Sequence, residues 1–338
     1  MENKILAIGI PSYNAEPYLD RGIPTFLHEK LLERIEVIIV NDGSKDKTQE
    51  IAEKYQDMYP DTVKVINKEN GGHGSAVNAA LYSTSAKYYK VVDADDWVDT
   101  LQLIKLVDYL ETCDSDVVCN HYNQVDMVTG RSEFIGNPQV EFEKEYKLSE
   151  LDAENIYMSI HAMTYKTELL QKHNIRLQEK TFYVDVEYQL LPMPYVNTVT
   201  FLKDTVYKYM VGNVNQSVNV DNFVRRYDDH NRVVCRILEF LKSAELDEYQ
   251  KKYVWNIFEK VIYTHYALSS IYDKDLERGK KRTIKFDAVL KESNPEMYDF
   301  IGKKYSNIKN LRANSFVYVP EKASFFRLLK HFIKSIIR

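Results

Sequence analysis

Three aspartates in one short stretch carry the clearest chemical signal in this sequence. The run Val91-Val92-Asp93-Ala94-Asp95-Asp96-Trp97 leads from two β-branched residues into carboxylates spaced D-x-D-D. Alternate side chains of an extended chain lie on the same side, so we expect Asp93 and Asp95 to face the same way. Two carboxylates at the carboxyl edge of a sheet suit a hard divalent cation and a phosphate-bearing ligand.

Short apolar runs that end in polar loops surround this stretch. The predicted strands are Ile5–Ile10, Ile35–Val40, Val63–Asn67, Tyr88–Val92 and Val117–Cys119. Helical patterns lie between them, and this alternation predicts right-handed βαβ units and a parallel sheet. Ligands of such sheets bind outside the carboxyl ends of the strands, so we expect the loops after the first four strands to share one crevice.

The pattern changes after Cys119. Residues 120–138 alternate and are rich in turns, which predicts an antiparallel hairpin; 160–165 and 199–210 are typical of further strands, and the chain becomes helical after Asn222. We therefore predict an α/β fold with a mostly parallel sheet flanked by helices and a C-terminal helical region. The predicted divisions are 1–120 and 121–220, as two halves of one domain, and 221–338.

Composition and charge limit the classes of function. The chain has 338 residues, 44% of them hydrophobic and 28% charged, as expected of a folded protein. A formal net charge of −5 argues against nucleic-acid binding. Three scattered cysteines indicate reduced thiols, and the first apolar run is too short for a signal sequence, so we predict a cytoplasmic protein.

Residues 322–338 form a pattern of their own. Apolar residues recur there at helical spacing with Arg and Lys between them, and the stretch contains no acid. A basic amphipathic helix of this kind can lie in the headgroup region of an anionic bilayer. The prediction is peripheral contact with the inner face of the plasma membrane, and docking of the helix on its own protein is the alternative.

Four loop motifs stand in order, each after a predicted strand. They are Pro11-Ser12-Tyr13-Asn14-Ala15-Glu16, Val40–Thr48, Asn70–Asn78 and Val92–Trp97. Together they resemble glycosyltransferase family 2, whose members are inverting enzymes with the GT-A fold that use nucleotide-diphosphate sugars. The resemblance is strongest over residues 1–120 and weaker from there to Ser217.

The resemblance implies that the first two loops hold the nucleobase. Pro11, Tyr13 and Asn14 would line it, with the Tyr13 ring stacked on uracil. Asp42 resembles the aspartate that reads the base, because a carboxylate can accept the N3–H of uracil. Without the resemblance, the Asp42 loop is an ordinary turn and Tyr13 a tyrosine at the edge of the core.

The glycine-rich loop is expected to approach the donor. Gly71 and Gly72 let the backbone come close to the ligand and direct the next helix towards it, and Asn78 offers a polar contact. The family often has Arg before this Asn, whereas this chain has Val77. The resemblance then implies that a metal or Lys68 neutralises part of the phosphate charge.

The acidic stretch resembles the family's D-x-D motif. Asp95 would ligate Mg²⁺ or Mn²⁺, Asp93 would hold sugar or ribose hydroxyls, and Ala94 would lie against the donor. The metal stabilises charge on the leaving diphosphate. His73 could touch ligand or solvent, and His161 could lie in the acceptor site or in the core.

The resemblance also implies a base that takes a proton from the acceptor hydroxyl. Asp185 is the candidate, although Val184 replaces the usual Glu before it, and Glu187 falls two residues late for the pattern. Asp185 could instead cap a helix. Residues 208–209 and 215–217 resemble a polar segment that closes over the diphosphate.

We therefore predict an inverting glycosyltransferase. Its donor would be a UDP-sugar, and its acceptor would be a cell-surface glycan or a lipid-linked molecule. The prediction is compatible with an oligomer of this chain. One alternative is a degenerate homologue that only binds nucleotide sugar or glycan. A sugar-phosphate nucleotidyltransferase is disfavoured, because the loop after the first strand has neither glycine nor a basic residue.

Overall fold

The computed structural model describes residues 4–212 and 220–318. The chain forms two compact units, Met1–Asn213 and Val214–Arg338. The predicted tail helix at 322–338 and the polar segment at 215–217 lie outside the described residues. The division of residues 1–220 into a donor half and an acceptor half stays a prediction.

The first unit is built on one sheet of ten strands with helices packed on it. The strands are β1 (Leu6–Ser12), β2 (Ile35–Asp42), β3 (Val63–Lys68), β4 (Tyr88–Val91), β5 (Trp97–Val98), β6 (Val117–Asp126), β7 (Ser132–Ile135), β8 (Glu145–Lys147), β9 (Met163–Lys166) and β10 (Thr198–Val211). The helices are α1 (Glu16–Gly22), α2 (Thr48–Met58), α3 (His73–Leu81), α4 (Thr100–Thr112), α5 (Thr167–Lys172) and α6 (Asp185–Leu190).

The sheet is parallel in its first half and mixed in its second. Its strand order is β3-β2-β1-β4-β9-β6-β10-β5. Neighbours among β3, β2, β1 and β4 pair in parallel, and every residue of β1 is buried, as the apolar run predicts. β9 then pairs antiparallel with both β4 and β6. The carboxyl ends of β1, β2 and β4 therefore meet at one edge.

Two predicted strands differ most from their bounds in the structure. The strand predicted at 160–165 begins only at Met163, because residues 159–162 form a turn in which the Ala162 N–H donates to the Ser159 carbonyl (2.9 Å). The strand predicted at 117–119 continues to Asp126 and pairs antiparallel with β7. This pairing confirms the predicted hairpin.

The second unit is helical in the part that the structure describes. Its helices are α7 (Val220–Arg225), α8 (Tyr227–Ser243), α9 (Glu248–Ser270), α10 (Leu276–Ser293), α11 (Pro295–Lys304) and α12 (Ser306–Ala313). Side chains of Asp247, Asp275 and Asn294 cap the first turns of α9, α10 and α11. Within residues 4–212 and 220–318, no helix is both long and apolar enough to cross a membrane.

Candidate active site

The acidic stretch leaves β4 in a tight turn that β10 holds in place. The Asp96 N–H donates to the Asp93 carbonyl (3.0 Å). The Tyr207 hydroxyl donates to Asp96 Oδ2 (2.6 Å) and accepts from the Asp93 N–H (3.1 Å). The Met210 N–H donates to Asp96 Oδ1 (2.7 Å), so both Asp96 oxygens are bonded within the protein.

Arg21 of α1 supports the same turn from the other side. Its guanidinium carbon lies 4.3 Å from the centre of the Trp97 ring, and Nη2 donates to the Asp95 carbonyl. Trp97 therefore packs behind the acidic turn, where a cation on its ring fixes the turn's backbone.

His73 stands between the acidic turn and Asp185. Its Nε2 lies 2.8 Å from Asp93 Oδ1, and its Nδ1 lies 4.0 Å from Asp185 Oδ1. Burial alone would lower the pKa of His73, but the hydrogen bond and charge of Asp93, with the charges of Asp185 and Asp95, raise it to about 9. His73 is therefore cationic at neutral pH, with a carboxylate on each side.

The neighbouring carboxylates are poorly neutralised. Burial and the charge of Asp93 raise the pKa of Asp95 to about 6. Burial, with the charges of Asp95 and Asp93, holds the pKa of Asp96 well above its usual range. Burial also acts to raise the pKa of Asp93, but the His73 hydrogen bond lowers it. A divalent cation at this point would relieve the repulsion.

The geometry offers a cation a different ligand set from the one expected of the sequence. Within the described residues, ligand atoms of Asp93, Asp96 and His161 lie within 4.8 Å of one another. His161 Nδ1 is buried without a hydrogen-bond partner, and burial lowers the pKa of His161 to about 4, which leaves the imidazole neutral. A neutral imidazole with an unbonded ring nitrogen can bind a metal ion. Asp95 is not part of this group.

Asp185 is the first residue of α6 and does not cap it. Val184 occupies the cap position, no side chain caps the helix, and about half of the Asp185 side chain (52%) is exposed. The surrounding protein removes part of its hydration, which raises the pKa of Asp185 although His73 opposes this. Glu187 is fully buried and bonded to Gln178, so it is not accessible to an acceptor.

The nucleobase loops are tied to each other through Asn14. Its Oδ1 accepts from the Lys45 N–H (2.8 Å), and its own N–H donates to the Ser44 hydroxyl (3.0 Å). Tyr13 beside it is 53% exposed, which leaves the ring available for stacking. Pro11 is buried inside β1 and does not reach solvent.

Asp42 is committed to the glycine-rich turn in this structure. The side chain is buried, and its carboxylate accepts from Lys68 Nζ (2.7 Å), from the Gly71 N–H (2.9 Å) and from the Gly72 N–H (2.7 Å). These contacts tie the carboxylate to the turn, and its base-reading role stays a prediction. They also occupy Lys68, which the sequence offered as a phosphate partner.

Asn78 likewise makes its side-chain hydrogen bonds within the protein. Its Nδ2 donates to the Leu177 carbonyl, and its Oδ1 accepts from the Leu177 N–H, both at 2.9 Å. The side chain is only 5% exposed. Both hydrogen bonds keep the amide inside the protein in this structure, and the ligand contact of Asn78 stays a prediction.

Sequence reasoning missed two supports of the site. Tyr207 lies in an alternating strand with no motif around it. Lys90 is fully buried and donates to the carbonyl of His161 (2.8 Å), which holds the segment that presents the imidazole. A lysine inside the apolar run 88–92 was a usable signal, because buried lysines are rare and need partners.

Comparison with known proteins gives a family and several relatives. Residues 7–173 match the model of "Glycosyl transferase family 2". The uncharacterized glycosyltransferase EpsJ of Bacillus subtilis is 26% identical over 80% of this chain and 73% of its own length. The poly(ribitol-phosphate) beta-N-acetylglucosaminyltransferase TarS of Staphylococcus aureus is 26% identical over 77% of this chain and 44% of its own length.

Solved structures agree on the fold. S. aureus TarS 1–349 in complex with UDP-GlcNAc superposes with a TM-score of 0.66 at 22% identity, covering 93% of this chain and 88% of that one. A Pyrobaculum calidifontis mannosyltransferase with GDP-Man and Mn²⁺ gives a TM-score of 0.54 at 13% identity, covering 89% and 85%. This likeness confirms the predicted GT-A fold.

Proposed function

We propose that this chain, whose residues 7–173 match the model of glycosyltransferase family 2, moves a sugar from UDP to a hydroxyl group with inversion. The observation that carries this proposal is the convergence of Asp93 and Asp185 on His73 at the carboxyl edge of the sheet. One carboxylate stands at the end of the donor-side strand, and the other is open to an incoming acceptor.

Asp185 acts as the base in this proposal. Its half-exposed carboxylate takes the proton of the acceptor hydroxyl while that oxygen forms a bond to the sugar C1. The bond from C1 to the phosphate oxygen breaks at the same time, and UDP leaves with the electron pair. A raised pKa suits this role, because a stronger base removes the proton more readily.

The acidic turn fits a divalent cation, Mg²⁺ or Mn²⁺. Asp93, Asp96 and His161 form one ligand set, and Asp95 is the ligand that the D-x-D resemblance implies. When bound, the cation would stabilise charge on the leaving diphosphate. His73 supplies a second positive charge beside Asp93, in a chain that has Val77 where relatives of the family often have Arg.

UDP is the proposed nucleotide, with the exposed Tyr13 ring stacked on uracil. TarS has been solved with UDP-GlcNAc, which makes that sugar the first donor to test. The mannosyltransferase with GDP-Man makes guanine the competing base. In this proposal Asp93 also holds hydroxyls of the sugar or the ribose.

The proposed acceptor is a cell-surface glycan or a lipid-linked precursor. The name of TarS refers to poly(ribitol-phosphate). GgaA of B. subtilis, which is 34% identical over 34% of this chain and 26% of its own length, is named for minor teichoic acid biosynthesis.

We propose that the reaction takes place in the cytoplasm, with residues 322–338 on the membrane surface. Liposome co-sedimentation tests this placement, and equal binding by a chain ending at Pro320 would refute it.

A thermal-shift screen tests the donor. UDP-GlcNAc, other UDP-sugars and GDP-mannose are added with Mn²⁺, Mg²⁺ or chelator, since a ligand of the folded state raises its melting temperature. The proposal predicts a metal-dependent shift with UDP and one UDP-sugar. A shift with GDP-mannose alone would refute the choice of nucleotide.

A further inference from the structure

The glycine-rich turn packs against the segment that leads to Asp185. The Gly71 carbonyl accepts from the Lys180 N–H (2.5 Å). Gly72 has a φ of 83°, and a Cβ there would lie 3.2 Å from the Lys180 nitrogen. A Cβ on Gly74 would collide with the Gln178 carbonyl oxygen. The turn therefore needs glycine because it touches residues 177–187, which we name the base-bearing segment.

Asn78 binds the start of the base-bearing segment as one peptide group binds another. Its amide donates to the carbonyl of Leu177 and accepts from the N–H of the same residue, at 2.9 Å each. Asparagine and glutamine are the two uncharged side chains that carry an amide donor beside a carbonyl acceptor. Glutamine is longer by one methylene, so it does not fit this contact in the same way. The contact joins α3 to a residue 99 positions later in the chain.

Glu187 closes the same segment from its other end. The carboxylate is fully buried, Oε2 accepts from the Gln178 N–H (2.9 Å), and Oε1 accepts from Gln178 Nε2. Between these two ends the backbone has positive φ at Lys180 (50°) and Tyr183 (68°). Non-glycine residues hold this conformation only when the surroundings enforce it.

We propose that Asn78 and Glu187 are positioning residues that clamp the base-bearing segment and so fix the Asp185 carboxylate relative to Asp93. The proposal rests on the proposed function, in which Asp185 is the base. It assigns the glycine-rich turn to holding the base as well as to facing the donor. A displacement of about 1 Å at a reacting group can lower the rate about 100-fold, so a loose segment would cost catalysis more than binding.

Hydrogen exchange on the full-length chain tests the clamp itself. Asn78→Ala and Glu187→Gln are expected to speed exchange of the backbone amides at 177–180. Tyr82→Phe is the matched control, because it removes a single hydrogen bond (to the Ile175 carbonyl, 3.0 Å) just outside the segment. Protection of 177–180 that is unchanged in both variants would overturn the proposal.

Kinetics then tests whether the clamp acts through Asp185. We measure UDP release from UDP-GlcNAc at saturating donor, with water as acceptor. Both clamp variants should lose about 10-fold or more in kcat with donor KM within about 2-fold, whereas Tyr82→Phe keeps the wild-type rate. In an Asp185→Asn background, Asn78→Ala should cause little further loss.

The outcomes separate the two proposals. Wild-type rates in both clamp variants, or an equal loss from Asn78→Ala in both backgrounds, would overturn the clamp while Asp185→Asn remains slow. A wild-type rate in Asp185→Asn would instead overturn the base assignment, and with it the premise of the clamp.

Discussion

Two clusters of buried carboxylates, one in each unit, differ in how their charge is balanced. In the second unit, the fully buried Asp273 lies 2.6 Å from Arg278 and 3.2 Å from Arg282. Burial would raise the pKa of Asp273, but the hydrogen bonds of Arg278 and Asp275 keep it low. In the first unit, Asp95 and Asp96 crowd beside Asp93, and their pKa values are raised.

The difference distinguishes carboxylates whose charge stabilises the fold from carboxylates whose charge is available to a ligand. Asp287 of α10, which Arg312 of α12 contacts at 2.7 Å, joins two helices of the second unit, and Asp273 ties the loop after α9 to arginines of α10. Unneutralised carboxylates cost folding free energy, so their gathering at a strand end marks a functional site.

Removing divalent cations should have a large effect on the transfer rate. Chelator is expected to lower transfer about 1,000-fold, because a metal supplies several kcal/mol of charge stabilisation, and Mn²⁺ or Mg²⁺ should restore it. The assay is UDP release before and after dialysis against EDTA. Full activity in chelator would contradict a metal-dependent site.

Two variants then decide between the ligand sets. If the geometric set binds the cation, His161→Ala raises the Mn²⁺ concentration needed for half-maximal rate about 10- to 100-fold, in the range of lost metal-site contacts. If the D-x-D reading is correct, Asp95→Asn does so and His161→Ala does not. Titration of Mn²⁺ against rate distinguishes them.

Removing one acid from each unit should change stability in opposite directions. Asp273→Asn is expected to lower the free energy of unfolding by about 3 kcal/mol, because two guanidiniums lose a buried partner. Asp95→Asn should raise it by about 1 kcal/mol at pH 8, because repulsion from Asp93 is relieved, while activity falls. Urea unfolding measures both. Equal destabilisation by the two variants would contradict the comparison.

Stability of the second unit should fall in mild acid. His230 and His265 are buried with their Nδ1 atoms 3.0 Å apart, and burial lowers the pKa of His230 to about 3 and that of His265 well below its usual range. Unfolded histidines titrate near 6.5, so below about that pH the unfolded state binds more protons and stability is lost, by up to about 1.4 kcal/mol per pH unit per histidine.

Urea unfolding of the full chain between about pH 7.5 and 5 measures this loss. Replacing His265 by Gln removes one titrating group, so the variant should show a shallower dependence on pH than the wild type. Identical slopes for the two proteins would contradict the assignment of the loss to this pair.

The smallest effect is expected at Arg21. Arg21→Lys loses the planar stack on Trp97 and should cost about 1 kcal/mol, with a several-fold rise in donor KM as the acidic turn loosens. Arg232→Lys in the second unit, which removes a surface guanidinium, is the control. Unchanged KM and stability in Arg21→Lys would show that the turn does not depend on this contact.

The parallel half of the sheet was predictable because β1, β2 and β4 are buried along almost their whole length. Continuous apolar runs such as β1 are visible without any partner. β9 was predicted as a strand, but not its place between β4 and β6, because pairing between distant segments leaves no local pattern.

Some residues of the site were predictable from motifs, and others were not. Asp93 and Asp185 stand in motifs, and the structure brings both to His73. The inward roles of Asp42 and Asn78 were not predictable, because a motif shows which polar residue is present but not whether ligand or backbone uses it. Tyr207 and Lys90 support the site from strands, where only long-range packing reveals their partners.

The central claim is that Asp185 takes the acceptor's proton in a site where the donor binds without it. The most direct test compares Asp185→Asn with wild type in UDP release from UDP-GlcNAc and in UDP affinity by calorimetry. We expect a fall in kcat of about 100- to 10,000-fold in Asp185→Asn, with UDP affinity unchanged. Wild-type turnover in Asp185→Asn would contradict it.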